Sequence, residues 1–321
     1  LGPDRGLEEA YAWGWAEHKR ILAEQRTEAD RVQAGATPME AMRLLATSGP
    51  AVEGVEEIRA RLQSMMDEAI AELDGTHFDL AEPLRRVEAM IAPPGSAAAP
   101  YYTRPAQDFS RPGRTWLPTL GRTRFPLWDL VSIWYHEGVP GHHLQLAQWA
   151  YVAQQLSTYQ TSVGSVSANV EGWALYAERF MDELGYFGDP GTRLGFLDAQ
   201  QLRSVRVVID IGMHLQLPIP DDAEGALAEH RGQPWTPDLA RAFLGENSGA
   251  SLAFLDSELV RYLGIPGQAI GYKLGERAWL AGREKARQAR GAAFDLKAWH
   301  MAALSQGSLG LDDLEDELAA L

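Results

Sequence analysis

Apolar residues recur every three and four positions along most of this chain, and that period limits it to a helical fold. The clearest case is Val55 to Leu73. Val55, Ile58, Leu62, Met65, Met66, Ile70 and Leu73 share one face, and Asp74-Gly75 stops the helix. Helical patterns also cover residues 8–31, 84–91, 128–151, 154–185, 192–216, 236–245, 250–264, 267–289 and 295–306, and Thr37-Pro38 reads as the capped first turn of a short helix. Residues 92–125 break the pattern with many Pro, Gly and aromatic residues, the composition of an ordered loop that lines something. Within it, 114–120 reads as a short edge strand, because Pro118 argues against a central one. The expected fold class is therefore all-α, a compact multi-helix body with at most a short edge strand or hairpin near 114–120. Residues 1–92 form a helical hairpin region and 93–321 the helical body that carries the site, with one continuous unit as the alternative. There is no internal repeat.

Composition removes several classes of function. The 29 Lys and Arg against 44 Asp and Glu leave a formal net charge of −15, which disfavours nucleic acid and anionic membrane surfaces as partners. Zero cysteines exclude disulfides, thiolate metal sites and cysteine nucleophiles. Only His, Asp and Glu are left as metal ligands. No run approaches the ~18 apolar residues of a membrane span. Leu1 to Gly6 lacks the basic and then apolar pattern of a signal peptide, so the expected compartment is the cytoplasm.

The segment Tyr135-His136-Glu137-Gly138-Val139-Pro140-Gly141-His142-His143 carries the strongest chemical signal. In the common zinc-peptidase motif, two His at i and i+4 share one helix face and the Glu after the first His polarises water. Here His136-Glu137 opens that way, but the following His residues lie six and seven positions on. On an unbroken helix a six-residue gap leaves the side chains ~120° apart, and a seven-residue gap separates them by ~10 Å along the axis. Neither arrangement chelates one metal. Metal binding by this segment therefore requires a distortion at Pro140-Gly141, where Pro removes a backbone donor and Gly tolerates any φ. A second helix running antiparallel to the first brings Glu171 to the metal, completing a three-ligand set with an open fourth position. Glu178, two turns further on the same face, is placed to orient a ligand from behind.

Two more clusters bear on substrate. Arg203, Arg206, Asp210 and His214 form a polar stripe in an otherwise apolar helix, either a structural ion-pair network or a substrate contact. Pro266-Gly267-Gln268-Ala269-Ile270-Gly271-Tyr272-Lys273 sets a Tyr beside a Lys after a helix break, and a Tyr hydroxyl is a good donor to an oxyanion. His18, His77, His230 and His300 read as packing or surface residues. The acidic tail 312–317 reads as a solvated helix face.

These strings together resemble the bacterial family of unknown function DUF885: His136 to Gln145, Glu171 to Glu178, and Pro266 to Ala269 with Gly271-Tyr272-Lys273. Tyr101-Tyr102, Ser110-Arg111-Pro112-Gly113 and Ser305-Gln306-Gly307-Ser308-Leu309 match as well. The resemblance covers nearly the whole chain. Family members are longer, so the chain resembles a C-terminal half that lacks a helical N-terminal half. That family is similar to all-helical zinc peptidases of the thimet oligopeptidase and carboxypeptidase Taq type. The resemblance implies a zinc ion held by His136, His142 and Glu171, with His142 favoured over His143 because Gly141-His142 matches the Gly-His that ends the related motif.

The expected activity is zinc-dependent hydrolysis of peptide bonds in short peptides, carboxypeptidase- or dipeptidase-like. Glu137 moves the proton, and Tyr272 or His214 donates to the oxyanion. Arg203 or Arg206 binds a substrate carboxylate. His143, Tyr102, Gln268 and Lys273 complete the expected substrate contacts. Manganese and iron suit the same ligands. Amide or ester hydrolysis on a small metabolite, or a tailoring reaction there, is the rival enzyme reading. A non-catalytic helical scaffold or a fragment with an incomplete site is the rival from another class.

Overall fold

The computed structural model describes residues 6–321, so residues 1–5 and the reading placed on them lie outside it. The chain runs α1 (Leu7–Val32), α2 (Pro38–Ser48), β1 (Ala51–Glu53), α3 (Val55–Leu73), β2 (Val87–Ile91), β3 (Tyr101–Thr103), β4 (Gly113–Leu117) and β5 (Arg124–Pro126). It continues through α4 (Leu130–Glu137), α5 (His142–Tyr151), α6 (Thr158–Thr161), α7 (Ser167–Glu183) and α8 (Pro190–Leu215). It ends with α9 (Pro237–Glu246), α10 (Leu252–Gly264), α11 (Gly271–Arg290), α12 (Leu296–Leu304) and α13 (Leu311–Ala320). The body is all-α with a few short strands.

Helix α8 is the spine. It buries almost every residue from Leu194 to Met213, and α1 packs along it. The two helices approach closely at Gly14, where a Cβ would lie 2.9 Å from Val207 Cγ1. The apolar core is continuous across position 92: Trp15, Ile58 and Leu84 share it with Trp134, Trp173 and Trp279. A smaller apolar cluster joins Met42 and Leu45 of α2 to Trp128 and Leu194. The acidic tail folds as α13, whose Leu311, Leu314 and Leu318 are buried.

Three local expectations differ from the structure. Residues 84–91 form a 3-10 turn and then β2, not a helix. Val87 and Ala89 turn inward on alternate positions, and the Gln63 side chain of α3 serves the strand's open edge. Its Nε2 donates to the Val87 carbonyl at 3.0 Å, and its Oε1 accepts from the Ala89 N–H at 2.8 Å. The 114–120 strand is central rather than peripheral: β4 pairs parallel with β2 and antiparallel with β3. Pro118 is no obstacle, because the strand ends one residue before it. The 154–185 helix starts late, at Ser167, since Ser157 and Gln160 form their own capping box on the short α6.

Helix α11 crosses α7 at a glycine pair. A Cβ on Gly172 would lie 2.4 Å from the Gly275 carbonyl carbon, and one on Gly275 would lie 2.0 Å from the Ala168 carbonyl oxygen. This contact sets Tyr272 beside Glu171. Gly275→Ala is expected to lower the free energy of unfolding in urea by about 2 kcal/mol, through overpacking against backbone that has no room to yield. An unchanged midpoint and slope would contradict so tight a crossing.

Candidate metal centre

Helix α4 ends at Glu137 and α5 begins at His142, so the chain breaks where Pro140-Gly141 requires it to. The break is specific. The Gly141 N–H reaches back to the Tyr135 carbonyl at 3.0 Å, and the His143 N–H to the Gly138 carbonyl at 3.1 Å. The Val139–Pro140 peptide is cis. The Trp173 indole N–H of α7 sits 3.0 Å from both the Pro140 and Gly141 carbonyls. Position 141 admits no side chain, because a Cβ there would stand 1.9 Å from the His136 carbonyl oxygen.

This fold-back brings the rings of His136 and His142 to a centroid distance of 4.7 Å. Glu171 of α7 faces both, its Oε2 lying 3.3 Å from His136 Nε2 and 3.5 Å from His142 Nε2. One ligand atom from each of the three lies within 4.8 Å of the other two. Helices α4 and α7 meet in the antiparallel sense: Ser132 reaches Glu178 at 2.5 Å, and His136 reaches Glu178 and Glu171. Glu178 is fully buried and takes His136 Nδ1 at 2.7 Å, which turns Nε2 toward the site.

Burial opposes charge on His136, but the carboxylates of Glu171 and Glu178 outweigh it and raise its pKa to about 9. Burial would likewise raise Glu171, and the two imidazoles overcome it, holding that carboxyl well below the usual carboxylate range. Glu137 is pushed up, chiefly by burial, and its Oε2 stands 4.0 Å from His142 Nε2.

The donor set fits a divalent metal of the zinc type. Two imidazoles and a carboxylate converge, one imidazole is oriented from behind by a carboxylate, and Glu171 Oε2 is buried without a hydrogen bond.

A cavity of about 580 Å³ opens onto these residues. Tyr102, Arg203, Arg206 and Tyr272 line it, as expected. Arg206 is anchored by Glu258 at 2.5 Å and by the Tyr262 hydroxyl at 3.0 Å, and its guanidinium lies 4.8 Å from the Tyr272 ring centroid. Burial, reinforced by Glu171, pushes the Tyr272 hydroxyl up to about 12.

Four expected site residues lie elsewhere. His143 is fully buried; its Nε2–H donates to the Leu84 carbonyl at 2.8 Å and its Nδ1 accepts from the Tyr102 hydroxyl at 2.9 Å. Burial lowers its pKa to about 4, consistent with that neutral tautomer, so it braces Tyr102 and touches no substrate. His214 donates from Nδ1 to Asp210, which in turn accepts from the Gly267 N–H at 3.0 Å; this half of the polar stripe ties α8 to the loop before α11. Lys273 is buried among Glu17, Gln200 and Glu276 and joins α1, α8 and α11. Gln268 accepts from Arg261, and only Arg261 reaches the cavity.

Sequence reasoning missed Asp198, which lines the cavity one turn before Leu202. Its signal was a lone carboxylate on the apolar stripe of α8, in register with the two arginines. Burial raises its pKa to about 7.

Fold and site define a mostly helical protein with a two-histidine, one-glutamate constellation on the lining of a cavity. The family model described as "Bacterial protein of unknown function (DUF885)" matches residues 1–318, and the chain belongs to that family. No curated protein matches it. Two solved structures share the fold. A "putative lipoprotein" from Colwellia psychrerythraea is 28% identical with a TM-score of 0.85, covering 99% of this chain and 52% of its own. A "putative lipoprotein of unknown function" from Shewanella oneidensis is 19% identical with a TM-score of 0.75, covering 98% of this chain and 57% of its own. The chain thus spans little more than half the length of these relatives. Among the described residues no helix is long and apolar enough to cross a membrane.

The raised Asp198 fixes the sign of a pH effect. A carboxyl whose folded pKa lies above its unfolded value stabilises the fold least at high pH, and that loss grows as pH rises from about 4 to 7. Asp198→Asn is expected to gain on the order of 2 kcal/mol more unfolding free energy at pH 8 than at pH 5. An equal effect at both pH values would contradict a buried, uncompensated carboxyl.

Proposed function

We propose that this chain is a zinc-dependent hydrolase of peptide bonds in short peptides. The observation that carries the proposal is the convergence of His136, His142 and Glu171 ligand atoms within 4.8 Å, with the Glu137 carboxyl beside them. Zinc held there would polarise a carbonyl and acidify a water; manganese or iron would suit the same donors. The protein's own groups supply the rest. Glu137, with its pKa raised by burial, takes the proton of the attacking water and returns it to the leaving amine. Tyr272, on the cavity wall with its hydroxyl free of any hydrogen bond among the described residues, donates to the developing oxyanion. Arg203 and Arg206 receive a substrate carboxylate. Glu178 holds His136 in position through Nδ1.

The test is Glu137→Gln. It removes the proton carrier and leaves the three ligands intact, so kcat/KM on short peptides is expected to fall by about a hundredfold or more at unchanged metal content. Wild-type rates in this variant would overturn the mechanism.

A further inference from the structure

We propose that the cavity selects short peptides with both termini free, seating the substrate ammonium group at Asp198 and its carboxylate at Arg206, in the cavity that the metal ligands also line. The inference rests on the peptidase reading and narrows it.

The argument starts from α8, which supplies one wall of the cavity. Asp198, Leu202, Arg203 and Arg206 all line it and lie on one helical face. Arg203 lies between Asp198 and Arg206 along the helix and lines the same cavity as His136, His142 and Glu171. Asp198 lies five residues to one side, ~7.5 Å along the axis, and Arg206 three residues to the other, ~4.5 Å. The full span is ~12 Å. An extended peptide advances ~3.3–3.6 Å per residue, so a zwitterion of roughly two to four residues fits between the two charges once side-chain reach is counted.

Both ends have unused polar capacity. Arg206 is 5% exposed and its Nη1 has no hydrogen-bond partner; Arg203 is 6% exposed and its Nε has none. Asp198 is 8% exposed. Its Oδ1 accepts from the Gly249 N–H at 2.9 Å, and it has no ion-pair partner among the described residues. Asp129, exposed on the same cavity, adds a second negative charge at that end. A buried carboxylate with no cation is costly, and a substrate ammonium group removes that cost. A site built only to recognise a C-terminal carboxylate would have no use for it.

The experiment is calorimetric binding to the full chain carrying Glu137→Gln, with the tripeptide Ala-Ala-Leu, its N-acetyl form and its C-amide form as probes. Each cap is expected to raise Kd tenfold or more. Asp198→Asn keeps an acceptor for the Gly249 N–H. It is expected to weaken the free tripeptide by the same factor and to leave the N-acetyl form unchanged. N-acetyl peptide bound as tightly as the free form would overturn the inference, as would an Asp198→Asn variant that still discriminates between them, or no binding of the free tripeptide at all. Hydrolysis by the wild-type chain separates the two readings. Turnover of capped and free peptides alike overturns this inference and leaves the peptidase standing. Cap-sensitive binding without turnover of any peptide supports the two charge sites and overturns the peptidase.

Discussion

The hydrogen bonds from the Trp173 indole to the carbonyls of Pro140 and Gly141 hold the feature on which the rest of the site depends. Without a break there, two histidines six residues apart would point to different sides of one helix. With it, their rings meet edge to face. The break frees carbonyls inside a buried region, where unpaired backbone groups are costly. Trp173 satisfies two of them from the neighbouring helix. The same helix carries Glu171 and Glu178, so the element that stabilises the fold-back also delivers the carboxylates that face His136. The glycine crossing with α11 then brings Tyr272 onto the same cavity as Glu171.

Charge is distributed around this centre with a division of labour. Buried charges that serve the fold are paired: Lys273 is shared among three acceptors, and Glu258 gathers Arg206, Arg261 and Tyr262. Groups that face the cavity keep free capacity, notably Glu171 Oε2, Arg203 Nε and Arg206 Nη1. A protein seldom leaves such atoms unpaired in its interior, since each costs about 1–3 kcal/mol. Such atoms occur elsewhere in the chain too, but these three line the cavity, where a ligand can reach them.

The helical architecture was legible from three-and-four periodicity, and the convergence of His136, His142 and Glu171 was legible from residue chemistry and spacing together with the family resemblance that favoured His142 over His143. A His-Glu pair, a Pro-Gly break and a distant Glu can meet only if the helix folds back. The short strands were not legible. Strand β2 owes its edge pairing to the side chain of Gln63, a contact between residues far apart in sequence. The polar stripe of α8 was read as one set, yet the cavity ends at Arg206. Asp210 and His214, one and two turns further on, belong to the joint with the loop before α11. His143 and Lys273 looked functional because they sit inside recognisable strings. Burial and saturation of their polar atoms show that they hold neighbours in place instead. Asp198 escaped notice because its register with the two arginines gains meaning only from the cavity that all three face.

The most direct test of this account is the metal content of the chain, measured by elemental analysis on protein prepared without chelator or affinity metal and then offered zinc. The account predicts about one zinc per chain, lost in Glu171→Ala. Protein that holds no metal and takes up none, or that retains it unchanged in Glu171→Ala, would contradict the proposed centre.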